Sequence, residues 1–121
     1  MSRRRAFGAM AASIAAVGCG AVDPPRVPGG NAERGRATIE RLECGACHVI
    51  PGVRGVRSHV GPPLDHFRQR AYLAGRFANT PEVLVRWLVD PPRMKPDTAM
   101  PAVGLTETEA RDIAAYLYGL E

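Results

Sequence analysis

A chain of 121 residues has room for one domain and one core, so multi-domain readings drop out. A hydrophobic fraction of 45% is that of a globular protein, and with Pro 11 and Gly 13 it should have few regular elements joined by long, punctuated loops. The formal charge of +4 points to nucleic acid only until it is located: Arg3, Arg4 and Arg5 supply most of it, and beyond residue 18 there are 13 basic and 12 acidic side chains, a net of +1.

In chain order, a basic head, MSRRR, is followed by an apolar run from Ala6 to Gly18, shorter than the ~20 residues a permanent membrane span needs. Residues 1–18 therefore read as an export signal. Cys19 follows Ala-Val-Gly and suits lipid attachment after cleavage, as in a bacterial lipobox with Ala16 where leucine is usual; ordinary cleavage near Cys19 is the alternative. Residues 19–30 hold three prolines and three glycines and read as a flexible tether. The folded domain is then residues 31–121.

Asn31 is a suitable N-cap for a helix over 32–43, with Ala37, Ile39 and Leu42 as its small and apolar positions. The stretch VIPGVRGVRSHVGPP at 49–63 excludes helix and predicts a loop. LDHFRQRAYLAG predicts a short helix over 64–73, ended by Gly75. In NTPEVLVRWLVDPP, Thr80 caps, Pro81 opens the helix, and Pro91 and Pro92 follow its end; Val83, Leu84, Trp87 and Leu88 share a face. After a second loop, LTETEARDIAAYLYGLE carries a capping box, Thr106 with Glu109, and an apolar stripe of Ile113, Ala114, Leu117 and Leu120. Glu107, Glu109 and Asp112 fall in its first turns, where the helix dipole favours acids. No useful period-2 alternation occurs, so the domain is read as all-α.

Cys44, Cys47 and His48 stand together in ECGACHVI. Zinc wants four ligands, usually in two pairs, and no second pair exists. A thioredoxin-like redox pair wants a βαβ setting that this chain lacks, and a disulfide closing two residues would contribute little. What fits is C-x-x-C-H as a c-type haem attachment site: two thiols add to the two vinyl groups of the porphyrin, and the histidine that follows is carried beneath the iron.

For the other axial position the candidates are Met94, Met100, His59 and His66. The histidines lie in the segment that must turn around the proximal face and read as solvated; bis-histidine ligation through one of them is the alternative. Met94, between Arg93 and Lys95, reads as a surface residue. Met100 is followed by Pro101, which fixes the backbone just past the sulfur, and is the expected distal ligand. Iron held on both sides has no free coordination position, which predicts single-electron transfer at a high potential; loss of Met100 from the iron would instead give a five-coordinate sensor or peroxidase-like protein.

CGACH, GPPL at 61–64 and TAMPAVGLTETEARDIAAYL at 98–117, flanked by helices, together resemble a class I, monohaem cytochrome c of the bacterial type over residues 31–121. The resemblance implies one covalent haem c and N- and C-terminal helices crossing at close range, with Gly35 and Ile39 meeting Ile113 and Tyr116. It implies that the Pro62 carbonyl accepts the His48 Nδ1 proton, which fixes the ring. Trp87 would pack near the haem or simply in the core. The implied partners are a quinol:cytochrome c reductase and a terminal oxidase, met on the periplasmic side of the bacterial cytoplasmic membrane with the lipid at Cys19 as anchor. Haem is joined there to unfolded chains, so export as folded cargo is not expected despite RRAF, which looks like a twin-arginine signal. Arg54, Arg57, Arg68, Arg70 and Arg76 outnumber Asp65 in their stretch, either as a patch for an acidic partner or as scattered solvated charges.

Overall fold

In the computed structural model, which describes residues 23, 25–56 and 58–121, four helices carry the architecture. The expected export signal at 1–18 and Cys19 lie outside the described residues. Helix α1 spans Ala32–Arg41, α2 Pro81–Val89, α3 Pro91–Met94 and α4 Glu107–Tyr118. Each start is capped as the sequence suggests: the Arg34 N–H donates to the Asn31 side chain at 2.8 Å, and Val83 N–H to Thr80 Oγ1 at 3.4 Å. Thr106 and Glu109 form the reciprocal capping box. Helix α1 stops earlier than residue 43, because Glu43 takes a left-handed backbone, φ 54°. The prolines after α2 do not merely end it; Pro91 opens α3, whose N-cap is Asp90.

The helix expected over 64–73 is not there. His66 is left-handed, φ 49°, and starts a single 3-10 turn, Phe67–Gln69. A small antiparallel hairpin follows, β1 at Tyr72–Leu73 and β2 at Phe77–Ala78, with Leu73 paired to Phe77. Ala74 and Gly75 both have positive φ, 49° and 66°, so the chain reverses at the point where a helix would have continued. Phe67 and Leu73 are buried separately, one by each piece. Among the described residues the regular structure is thus mostly helical, with one two-stranded sheet.

Helices α1 and α4 make the closest crossing. A Cβ on Gly35 would overlap the Asp112 carbonyl oxygen and stand 2.8 Å from Ile113 N, so only glycine lets the backbones meet. Ile39 and Ile113 are buried beside it, each side chain contributing about 1.5–3 kcal/mol on burial. Tyr116, expected at this crossing, sends its hydroxyl elsewhere, to the Pro51 carbonyl at 2.6 Å. On the other side of α4, Tyr118 packs edge-on to Phe67 at 5.7 Å, and its hydroxyl donates to Asn79 Oδ1 at 2.9 Å. Asn79 Nδ2 donates in turn to the Phe67 and Arg70 carbonyls, tying hairpin and 3-10 turn to α4. Burial, with a smaller push from Glu82, raises the Tyr118 phenol to about 12. The described end of the expected tether lies on this body too: Val27 is half-buried against the core, and a Cβ on Gly30 would stand 2.6 Å from the Arg111 carbonyl oxygen.

Asp112 is not a dipole-stabilising surface acid. It is 4% exposed and accepts from Asn31 N–H at 2.7 Å and from Arg34 Nε and Nη2 at 2.8 Å each, clamping the start of α1 to α4. The Arg34 hydrogen bonds, against the opposing effect of burial, hold its carboxyl below the ordinary carboxylate value. A depressed folded-state pKa adds stability that is full above the unfolded value, ~4, and is lost as pH falls through the folded value. Asp112→Asn should therefore be less stable than wild type at pH 6, with the gap shrinking steadily below about pH 4. Urea unfolding of both proteins across that range checks it.

Candidate haem site

The attachment motif begins where α1 fails. The left-handed Glu43 turns the chain into a 3-10 turn, Cys44–Ala46, and His48 N–H then donates to the Cys44 carbonyl at 3.1 Å. Cys44 and Cys47 are half-buried and carry free thiols. Burial, the largest influence, pushes the Cys44 thiol above its ordinary value. The link between the cysteines is covered by the following loop: a Cβ on Gly45 would stand 2.6 Å from the Arg54 carbonyl oxygen and 3.1 Å from Gly55 Cα.

His48 is fixed from three directions. Gly61 N–H donates to the Cys47 carbonyl at 2.9 Å and Leu64 N–H to the Val49 carbonyl at 2.8 Å, so the residues on either side of His48 are pinned to the 61–64 segment. Between those two bonds, His48 Nδ1 lies 2.7 Å from the Pro62 carbonyl oxygen, the partner the family resemblance implies. A carbonyl can only accept, so Nδ1 carries the proton and the neutral ring keeps its lone pair on Nε2. That is the tautomer a metal ligand needs. Gly61 lies against the ring itself: a Cβ there would meet Cε1 and stand 2.6 Å from Nδ1. Within GPPL the proline carbonyl holds the ring, and the glycine is required by the closeness of the imidazole.

The remaining candidates reach the core from other elements. Met100 is half-buried on the core in the loop between α3 and α4, with its N–H donating to Thr98 Oγ1 at 3.2 Å. Met94, read as a surface residue, is half-buried against the core as well, because α3 turns it inward between exposed Arg93 and half-buried Lys95. Trp87 is 8% exposed with its ring 6.0 Å from Phe77, a core position. His59 and His66 are exposed. The arginine patch is partly spent internally: Arg68 pairs with Glu121, and Arg70 donates to Asp65 and to the Pro63 and Asp65 carbonyls.

Two free thiols three residues apart, an imidazole with its lone pair on the unengaged nitrogen and a half-buried thioether make a donor set that fits a covalently attached haem. Comparison with known proteins agrees. The cytochrome c family model matches residues 32–121. The chain is also 33% identical over 91 residues to cytochrome c oxidase subunit 2 of Alkalihalophilus pseudofirmus; that match covers 74% of this chain and 26% of the relative, so the chain spans about a quarter of that protein's length. A match over all four described helices, on a chain whose C-x-x-C-H histidine already has its ring set by a proline carbonyl, leads to one conclusion: this chain belongs to the cytochrome c family, proteins that bind haem c covalently and transfer electrons.

Proposed function

We propose that the protein carries single electrons on one haem c joined to Cys44 and Cys47, with His48 as proximal and Met100 as distal ligand, and that it delivers them to a terminal oxidase. The haem supplies the one-electron couple of its iron. The chain's own residues do the rest. Pro62 orients the His48 ring and makes Nε2 a stronger donor, Gly61 leaves the ring its space, and the core around Trp87, Leu88 and Leu117 keeps water from the interior. The single observation that carries the reading is the His48 Nδ1 to Pro62 bond, because it leaves Nε2 prepared as a donor with no hydrogen-bond partner among the described residues.

The similarity to a segment of an oxidase subunit supports the direction of delivery, with a quinol:cytochrome c reductase as the donor that the family resemblance implies. Export through residues 1–18 and lipid attachment at Cys19 complete the proposal and place the domain on the periplasmic face of the cytoplasmic membrane. Exposing the ferrous holoprotein to carbon monoxide tests the ligation and, with it, the carrier role. A haem with both axial positions filled resists the gas and titrates reversibly as a single one-electron couple. Rapid, complete carbon monoxide binding would favour the five-coordinate sensor or peroxidase-like reading instead.

A further inference from the structure

One tie from α4 reaches the loop that covers the attachment motif. Ile50–Val53 is a tight turn closed by Val53 N–H donating to the Ile50 carbonyl at 3.1 Å, with Pro51 second and Gly52, φ 75°, third. That residue order and φ sign are those of a type II turn, whose central peptide plane is flipped relative to type I. The flip decides where the Pro51 carbonyl points, and in this chain it receives the Tyr116 hydroxyl at 2.6 Å. The fit leaves no room for a side chain, since a Cβ on Gly52 would stand 2.7 Å from Tyr116 Oη. Among the described residues, Tyr116 is the one side chain outside loop 51–60 that hydrogen-bonds to it.

The turn matters because of what leaves it. Arg54 and Gly55 follow within two residues and lie directly on Gly45, inside the Cys44–Cys47 link; a Cβ on Gly55 would overlap the Gly45 carbonyl. Ile50, 4% exposed, anchors the incoming arm in the core. The outgoing arm has Val53 half-buried against the core and then depends on the orientation of the central peptide to carry Arg54 and Gly55 onto Gly45.

We propose that Tyr116 is a positioning residue for the haem site: its hydroxyl fixes the Pro51–Gly52 peptide in the type II orientation and thereby keeps the Arg54–Gly55 backbone closed over the Cys44–Cys47 link. The inference rests on the proposed haem attachment at those cysteines. A closed backbone shields that edge of the haem from water, which disfavours the extra charge of the ferric state. Without the hydroxyl the central peptide flips more often, the cover opens, and the reduced state loses part of its advantage.

Tyr116→Phe in the full-length holoprotein keeps the ring and removes only the hydroxyl. Tyr118→Phe is the matched control, since its hydroxyl belongs to the Asn79 contact. Native-state hydrogen exchange at the Val53 amide should quicken about two- to tenfold in Tyr116→Phe, the range expected for one neutral hydrogen bond, and stay unchanged in Tyr118→Phe. The midpoint potential should fall in Tyr116→Phe alone. Unchanged exchange or potential in Tyr116→Phe, or equal falls in both variants, overturns the proposal. Failure of the underlying assignment looks different: the intact mass then lacks covalent haem, whatever the exchange rates.

Discussion

Replacing Cys44 and Cys47 together by serine is expected to yield a chain whose intact mass is that of the polypeptide alone, where the proposed attachment predicts the mass of one haem in addition for the wild type. The expected loss is complete, because a serine hydroxyl stays protonated far above neutral pH and does not add to a vinyl group as a thiol does. Either single substitution leaves one thioether and so retains the added mass. The geometry makes the pair a clean test. Both side chains are half-buried and unbonded to each other, and the contact that shapes their link is between backbones, Gly45 with Arg54 and Gly55. Serine is nearly isosteric with cysteine, so the change is chemical and not steric. An unaltered added mass in the double variant would remove the cysteines from the site.

Gly35→Ala is expected to destabilise the domain more than any other single-methyl change. The new Cβ falls on the Asp112 carbonyl oxygen, and a backbone atom in the middle of α4 cannot rotate aside as a side chain would. The helices must part, which loosens Ile39 against Ile113 and stretches the three hydrogen bonds that Asp112 accepts. Overpacking of this kind costs about 3 kcal/mol, a fall in Tm of roughly 10–20 °C for a domain of this size. Thermal unfolding followed by circular dichroism measures it. A shift of only a degree or two would mean that the crossing is not tight.

The parts of the fold governed by local chemistry were legible in advance. Asn31, Thr80 and the Thr106–Glu109 box sit at helix starts because capping is decided within four residues, and Pro81 opens its helix for the same reason. The helix expected over 64–73 does not form: the composition there is compatible with helix, but the chain's course depends on His66 and Ala74 adopting left-handed backbones, which neither residue type advertises. Asp112 shows the limit from the other direction. Its position in a first turn suited the dipole, yet its energy comes from Asn31 and Arg34, some eighty residues away in the chain.

The candidate site divides in the same way. C-x-x-C-H is a local motif, and it pointed to haem attachment once zinc, a thioredoxin-like pair and a two-residue disulfide had been set aside. Pro62 came from the family resemblance, and the structure sets its carbonyl 2.7 Å from His48 Nδ1. Gly61 against the imidazole and Tyr116 on Pro51 were not visible, because each is a contact across the fold; only the Pro51–Gly52 pair, a turn signature, marked the place. Met94 and Met100 also needed three dimensions. Both are half-buried against the core, so burial does not separate them, and the choice of Met100 rests on Pro101 fixing its backbone and on its nearness to α4.

The measurement that bears most directly on the carrier reading is the ferric absorption spectrum of the holoprotein at its red edge, where a thioether bound to iron gives a sulfur-to-iron charge-transfer band. His48 and Met100 ligation predicts that band in the wild type and in Met94→Ala, and its loss in Met100→Ala. A wild type without the band, or one that loses it with Met94 and keeps it without Met100, would contradict the account.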